Sequence, residues 1–388
     1  MEKVIVKENI KYIGVDDKDL DLFESQYIIP NGISYNSYLI KDEKNVVMDT
    51  VDKRKTSQWI KNLEEALEGE KVDYLVISHL EPDHSSNIAL LCEKYPDMKL
   101  IGNNKTFAFL PQFFDIPNLE ERKIEVKEGD TISTGNHILK FYMAPMVHWP
   151  EVMVTYEENN KILFTADGFG KFGALDTDEE WDCEARRYYF NIVGKYGVQV
   201  QALLKKVANL DIKMICPLHG PILKENLSYY INKYDVWSKY EPEDDGVFIA
   251  YASIHGNTAN AAREMAKILK EKGAKKVVVS DLSREDMAEC IEDAFRYDKI
   301  VLAASSYNAG VFPPMEQFLR LIKDKNYQNR KIAIIENGTW APSAAKTMLE
   351  IIGGMKNITV VEPQVTIKTT TNQDTIKELE RLAENILK

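Results

Sequence analysis

Ser78-His79-Leu80-Glu81-Pro82-Asp83-His84-Ser85 is the stretch on which the reading of this chain turns. It places two imidazoles and two carboxylates directly after the apolar run Tyr74-Leu75-Val76-Ile77, which reads as a buried strand. Side chains two apart in an extended segment point the same way, so His79, Glu81 and Asp83 converge, and His84 turns in from the helix expected next. Hard carboxylates mixed with imidazole, without thiolate, suit zinc, iron or manganese, and so carboxylate-rich a set makes iron credible. A polar turn at a strand end needs no such density of ligand-type residues.

The remaining ligand-type residues repeat this placement. Phe141-Tyr142-Met143-Ala144-Pro145-Met146-Val147 runs into His148, Lys161-Ile162-Leu163-Phe164-Thr165-Ala166 into Asp167, and Met214-Ile215-Cys216-Pro217-Leu218 into His219. Four strand-like segments thus end in a potential ligand, and one shared site at the strand ends is the economical explanation. Of six histidines, His79, His84, His148 and His219 fall in this pattern. His137, in a Gly-Asn turn, is expected at the surface, and His255 lies elsewhere. Four imidazoles with Glu81, Asp83 and Asp167 are too many for one metal. Two metals sharing a carboxylate can use them, and Asp167, which stands apart, is the natural bridge.

At 388 residues the chain exceeds what one hydrophobic core usually serves, so two domains are expected. No apolar run approaches the roughly 20 residues that span a bilayer, and Met1-Glu2-Lys3-Val4 lacks a signal-peptide pattern, so the expectation is a cytoplasmic protein without membrane association. A formal charge of −12 argues against binding nucleic acid through its phosphates. Cys92, Cys183, Cys216 and Cys290 form no Cys-x-x-Cys pair, which leaves no iron–sulfur or rubredoxin segment within these residues, and they read as structural thiols.

Before the acidic stretch Tyr240-Glu241-Pro242-Glu243-Asp244-Asp245, mixed strands and helices (56–67, 184–195, 199–208 and 227–239 among the helices) indicate a sheet-centred α/β sandwich. After it, strands near 247–252, 276–280, 299–304, 331–335 and 359–362 alternate with helices, the signature of a doubly wound parallel sheet of flavodoxin-like order. The stretch reads as a linker, and the expected domains are 1–243 and 244–388. A doubly wound sheet binds its cofactor in the loops after particular strands. Ser253-Ile254-His255-Gly256-Asn257-Thr258 offers hydroxyls, a glycine and an amide that can wrap a phosphate against a helix N-terminus, with no following lysine. That loop resembles the FMN loop of flavodoxins. Ser305-Ser306-Tyr307-Asn308-Ala309-Gly310 and Asn337-Gly338-Thr339-Trp340 can line a flavin ring, with His255 near the phosphate.

His-x-Glu-x-Asp-His, then His148-Trp149-Pro150-Glu151, Asp167 and His219-Gly220, resembles the diiron domain of flavodiiron proteins. With the flavodoxin-like part, the resemblance to class A members covers essentially the whole chain. It implies an N-terminal metallo-β-lactamase-like αββα sandwich, and one iron on His79, Glu81 and His148. The other iron takes Asp83, His84 and His219, with Asp167 bridging. Hydrolases of this fold usually carry His where Glu81 stands, and the added negative charge favours ferric iron over hydrolytic zinc. Leu218 stands where the family often has Asp, and Gln26-Tyr27 falls in a region near the metals where the family varies. The resemblance further implies FMN, electrons from an external donor (rubredoxin, or a deazaflavin), reduction of O2 to water or NO to N2O, and a head-to-tail homodimer or dimer of dimers. Two other readings keep most of these residues: a binuclear zinc hydrolase fused to a flavodoxin domain, and a non-catalytic gas or redox sensor.

Overall fold

The structure is a computed structural model that describes residues 5–7 and 9–388, and these divide into two compact units. The first takes the chain up to Tyr189 together with Val198–Tyr234, and the second takes Phe190–Gly197 and Asp235–Lys388.

In the first unit a seven-stranded sheet faces a five-stranded one. The first sheet runs Ile5–Lys7, Ile10–Tyr12, Tyr38–Ile40, Val46–Met48, Tyr74–Val76, Lys99–Gly102 and Lys123–Glu125 from edge to edge. The second runs Thr131–Ser133, Ile138–Met143, Met153–Glu157, Ile162–Phe164 and Met214–Cys216. One core joins them, with Tyr38, Ile40, Met48, Val76 and Ile101 of the first sheet packed with Leu139, Phe141, Met153, Ile162 and Phe164 of the second. Each such side chain, fully buried, contributes about 1.5–3 kcal/mol. The helix Thr56–Leu67 buries Trp59, Leu63, Ala66 and Leu67, a spacing that puts all four on one face.

Strand direction decides where the ligand-type residues emerge. Met153–Glu157 is antiparallel to both Ile138–Met143 and Ile162–Phe164, and Met214–Cys216 is parallel to Ile162–Phe164. The chain therefore leaves Met143, Phe164 and Cys216 at one edge of that sheet, toward His148, Asp167 and His219. In the other sheet, Val46–Met48 and Tyr74–Val76 are parallel and deliver Asp49 and His79 together. Ser78 accepts the Met153 N–H at 3.1 Å and Leu218 accepts that of Asn36 at 2.8 Å, which ties these strand ends across the sandwich.

The second unit orders its parallel strands Val277–Asp281, Asp244–Ala252, Tyr297–Tyr307, Gln328–Asn337 and Lys356–Ile367. In chain order that is 2-1-3-4-5, the flavodoxin-like sequence. Val247 through Ala252 are all buried, as a central strand covered on both faces requires. The helix Asn257–Glu271 turns Ala259, Ala262, Met265, Ala266 and Leu269 into the core.

Three local expectations are corrected. His137 is buried, not superficial, because its Nδ1 meets Glu157 Oε1 at 3.0 Å and this pairing compensates the ring's removal from water. The 184–195 helix starts earlier, at Trp181, and is α-helical only to Tyr188, after which Tyr189–Val193 widens into a π turn and Gly194–Tyr196 tightens into a 3-10 turn. The acidic stretch at 240–245 is anchored: Tyr240 is buried, the Glu243 N–H donates to Arg296 O at 2.9 Å, and the strand Asp244–Ala252 begins inside it.

Candidate functional site

His79 lies three residues beyond its strand, and Pro82–Ser85 forms one short helical turn that carries Asp83 and His84 inward. Proline opens this turn at a position where its missing N–H costs nothing. Asp167 follows Ala166, whose φ of 49° bends the chain sharply, and Thr165 Oγ1 locks the turn by donating to Gly168 O at 2.6 Å. His219 precedes Gly220, whose φ of 79° and closeness to the Lys171 side chain admit only glycine without strain.

Two groups of ligand-type atoms result: His79, Glu81, His148 and Asp167, and Asp83, His84 and His219. Asp167 links them with separate oxygens. Its Oδ2 lies 3.3 Å from His79 Nε2 and 3.5 Å from His148 Nε2, while its Oδ1 lies 3.5 Å from His84 Nε2 and 3.7 Å from His219 Nε2. Glu81 Oε2 is 2.9 Å from His148 Nε2, and Asp83 Oδ2 is 3.2 Å from both His84 and His219. All seven residues meet here, and all but the half-buried Glu81 are buried.

The arrangement is that of a metal site. None of the four oxygens of Asp83 and Asp167 receives a well-formed hydrogen bond, although buried carboxylates normally do. His84 Nε2 and His219 Nε2 face each other at 3.0 Å, a contact between two nitrogens that a shared cation resolves. Burial depresses the His84 imidazolium, but Asp83 and Asp167 outweigh burial and hold it up to about 10. Burial likewise raises the Asp167 carboxyl, and the surrounding imidazoles, His79 foremost, reverse this and carry it well below the usual range. Two divalent ions replacing those protons fit this donor set of imidazole nitrogens and carboxylate oxygens.

Behind the ligand-type residues, Glu151 Oε1 accepts from His79 Nδ1 at 2.8 Å, Ser34 O accepts from His219 Nδ1 at 2.7 Å, and Asp49 Oδ1 accepts from the Ser78 N–H at 2.7 Å. A cavity of about 250 Å³, lined in part by Leu22, Phe23, Glu24, Tyr35 and Arg54, reaches Glu81 and Asp83. Desolvation at its wall, then the Glu81 carboxylate, pushes Glu24 up to about 7. The buried Tyr188 hydroxyl feels Asp167, Asp83 and Glu81, and its ring lies 5.5 Å from that of His219. Glu24 and Tyr188 are not discernible from sequence, each a common residue type with no spacing relation to the ligands; Glu151 closes the run His148-Trp149-Pro150-Glu151, but its pairing with His79 is not legible there. Glu24 neighbours Gln26-Tyr27, where Gln26 Nε2 donates to Glu24 Oε2 at 3.0 Å.

The second unit carries a cavity of about 670 Å³ at the ends of its strands. Ser253, Ile254, His255, Asn257 and Thr258 line it, with Ser305, Ser306, Tyr307, Asn308, Asn337, Gly338, Thr339 and Trp340. Gly256 and Gly310 stand behind this lining. Gly256 precedes the helix Asn257–Glu271 with a φ of 89° and open space where a Cβ would stand, and its N–H donates to Ser253 Oγ at 3.1 Å. Gly310 supports the Tyr307 turn by pairing with it and accepting from Ser343 Oγ at 2.9 Å. No lysine or arginine lines the cavity, so hydroxyls and helix N–H groups are what it offers a phosphate. Trp340, 91% exposed, and Tyr307 provide apolar faces for a planar ring. Thr369 also lines it, held by Thr339 Oγ1 at 2.7 Å; the polar run Lys368-Thr369-Thr370-Thr371 after the last strand was its available signal.

A binuclear-type ligand cluster at the strand ends of a lactamase-like sandwich, on one chain with a flavodoxin-like phosphate cradle, defines the class: proteins that couple a flavin to a pair of metals. Residues 33–220 match the family described as ODP family beta lactamase, and residues 248–370 match the Flavodoxin domain. The anaerobic nitric oxide reductase flavorubredoxin of Vibrio vulnificus is 32% identical over 347 residues, which are 86% of this chain and 70% of that protein. A variant of the flavo-di-iron protein from Thermotoga maritima superposes with a TM-score of 0.88 at 26% identity, covering 100% of this chain and 98% of that one. The rubredoxin oxygen:oxidoreductase of Desulfovibrio gigas, at 24% identity, shares the fold with a TM-score of 0.91 over 100% of this chain and 98% of that one. The chain belongs to the flavodiiron protein family. It is an oxidoreductase whose cofactors are FMN and a non-haem diiron centre, and family membership gives no support to the hydrolase and sensor readings. Among the described residues no helix is long and apolar enough to cross a membrane.

Proposed function

We propose that the protein takes electrons from an external donor through FMN to its irons and reduces O2 to water, NO to N2O, or both. His79, Glu81 and His148 hold one iron, Asp83, His84 and His219 the other, and Asp167 bridges. The observation that carries this assignment is Asp167 itself: its two oxygens face different imidazole pairs and neither has a hydrogen-bond donor. FMN is held by the Ser253, Ser305 and Asn337 loops, its phosphate against Gly256 to Thr258. The functional division adopted is residues 1–243 for the metals and 244–388 for the flavin, since every proposed iron ligand precedes it and every residue of the flavin cavity follows it.

When bound, the flavin exchanges electrons singly or in pairs, and two irons store two electrons beside a diatomic molecule. The chain's own residues set the conditions for that chemistry. The cavity over the cluster, about 250 Å³, sets the apolar Leu20, Leu22 and Phe23 beside the charged Glu24, Asp52 and Arg54, and its volume suits a small substrate. Both reductions consume protons. The Glu24 carboxyl, poised near neutral pH on that cavity, is the group placed to hand them over. Asp49, through the Ser78 N–H, fixes the backbone from which His79 projects.

Rubredoxin is the donor favoured by the relatives named for it, the Vibrio vulnificus flavorubredoxin and the Desulfovibrio gigas rubredoxin oxygen:oxidoreductase, with a deazaflavin as the second choice. A head-to-tail homodimer, alone or paired, suits the exposed Tyr307 and Trp340 at the flavin cavity. A reducing, cytoplasmic setting suits the buried thiols of Cys92, Cys216 and Cys290. Metal analysis and anaerobic initial rates with reduced rubredoxin test the proposal. About two irons per chain and rapid turnover of at least one gas are expected. Zinc with hydrolytic turnover and no gas reduction would overturn it.

A further inference from the structure

The imidazoles of the cluster are backed unequally. Glu151 is completely buried, and its Oε1 accepts from both His79 Nδ1 at 2.8 Å and the Leu80 N–H at 3.0 Å. Its own backbone carbonyl is held by Asn103 Nδ2 at 2.6 Å, and Asn103 in turn caps the helix Asn104–Phe113 by accepting from the Lys105 and Thr106 N–H groups. The carboxylate is thus pinned on a rigid element and aimed at one histidine. Across the cluster, His219 Nδ1 donates to the neutral carbonyl of Ser34 at 2.7 Å, and His84 Nδ1 has no partner. No carboxylate accepts from the outer nitrogen of either, although the buried Asp49 lies within electrostatic reach of both His84 and His79.

A carboxylate accepting from the outer nitrogen of a ligating imidazole fixes the tautomer and makes the inner nitrogen a stronger donor. A stronger, more negative donor set favours the ferric state of the ion it holds. Counting Asp167 as shared, each metal position has one carboxylate of its own, Glu81 or Asp83, so the ligands themselves carry equal charge. Glu151 breaks that equality by adding a buried carboxylate hydrogen-bonded to His79 alone, whereas the buried Asp49 acts on both His84 and His79.

We propose that Glu151 is a positioning residue that makes the two irons inequivalent, so that the iron at His79, Glu81 and His148 is the harder to reduce and the iron at Asp83, His84 and His219 accepts the first electron. This rests on the ligand allotment proposed above. The substitution Glu151→Gln keeps the shape and one hydrogen-bond acceptor but removes the charge.

The test is a potentiometric titration of the purified iron- and FMN-loaded protein, followed by electron paramagnetic resonance of the half-reduced centre. The wild type is expected to reduce its irons at two separated potentials. In Glu151→Gln the comproportionation constant falls at least tenfold, equivalent to about 59 mV for a one-electron couple, while the FMN potentials and thermal midpoint stay unchanged. Glu151→Asp, which keeps the charge at a greater distance, falls between the two. Loss of one iron per chain in Glu151→Gln, with the other retained, also supports the proposal, because only the His79 position is then weakened. An unchanged separation with both irons bound overturns it, as does loss of both irons together. If Glu151→Gln does not fold, Glu151→Asp decides by the same measure: a comproportionation constant below that of the wild type supports the proposal, and an unchanged one overturns it. A wild type that binds zinc in place of iron sinks the functional reading instead, so the two failures are distinguishable.

Discussion

The metal cluster gathers seven charged or titratable side chains from four separated stretches and buries six of them, whereas the flavin cavity is built from neutral hydroxyls, amides and aromatic rings on open loops. The difference follows from what each ligand requires. Cations need anionic and imidazole donors removed from water, and such groups are tolerated in a core only with partners, so the cluster costs stability until the ions arrive. A phosphate beside a helix N-terminus is satisfied by backbone N–H groups already present, and a flavin ring by apolar faces. One site is therefore incomplete as a piece of protein, and the other is nearly finished.

The largest test of this contrast is Asp167→Ala. It should drop iron from about two per chain toward zero and abolish gas reduction, with FMN content unchanged by flavin absorbance. Parallel loss of flavin would break the contrast. A second test uses pH. In the metal-free protein His84 is held up to about 10, above its unfolded value, so it is protonated across the neutral range and must release a proton to bind iron. Iron affinity should consequently rise with pH, by about tenfold per unit for each proton released, while FMN affinity changes far less. Equilibrium dialysis of both cofactors from pH 6 to 8 checks this; a flat iron curve would contradict it. The smallest effect is expected from Ser253→Ala, which removes the hydroxyl that accepts the Gly256 N–H at 3.1 Å. Flavin binding should weaken by about 1 kcal/mol, read by fluorescence titration, with iron content at the wild-type level.

The same contrast explains what the sequence revealed. His79 to His84 could be read because charge that must be buried has to be concentrated, and concentration is visible in one dimension. His148, Asp167 and His219 followed because each ends an apolar run, and rarity helped, with four of six histidines in the pattern. The flavin loops were ordinary as residues and became legible only through the strand and helix alternation that placed them. Glu24, Tyr188 and the role of Glu151, though Glu151 itself falls in the run from His148, stayed hidden, since each depends on what lies across the sandwich and no local pattern encodes that. His137 misled for the same reason: its turn looked superficial, and its partner Glu157 lies on another strand. The π turn at Tyr189–Val193 interrupts a helix whose composition gives no warning.

Ser34 offers a consequence of a different kind. Its carbonyl orients His219, and its hydroxyl accepts the Gly220 N–H at 2.7 Å, so a residue near the start of the chain completes a ligand 185 positions later. The first ligand leaves the ribosome long before the last, and at 5–20 residues per second roughly 7–30 s of synthesis separate His79 from His219. During that interval the nascent chain displays four of the seven ligands at 79–84 in one exposed cluster, a potential trap for a single misplaced ion. The order of synthesis therefore favours metal loading only after His219 has emerged, once the strand carrying Ser34 has closed against residues 217–220.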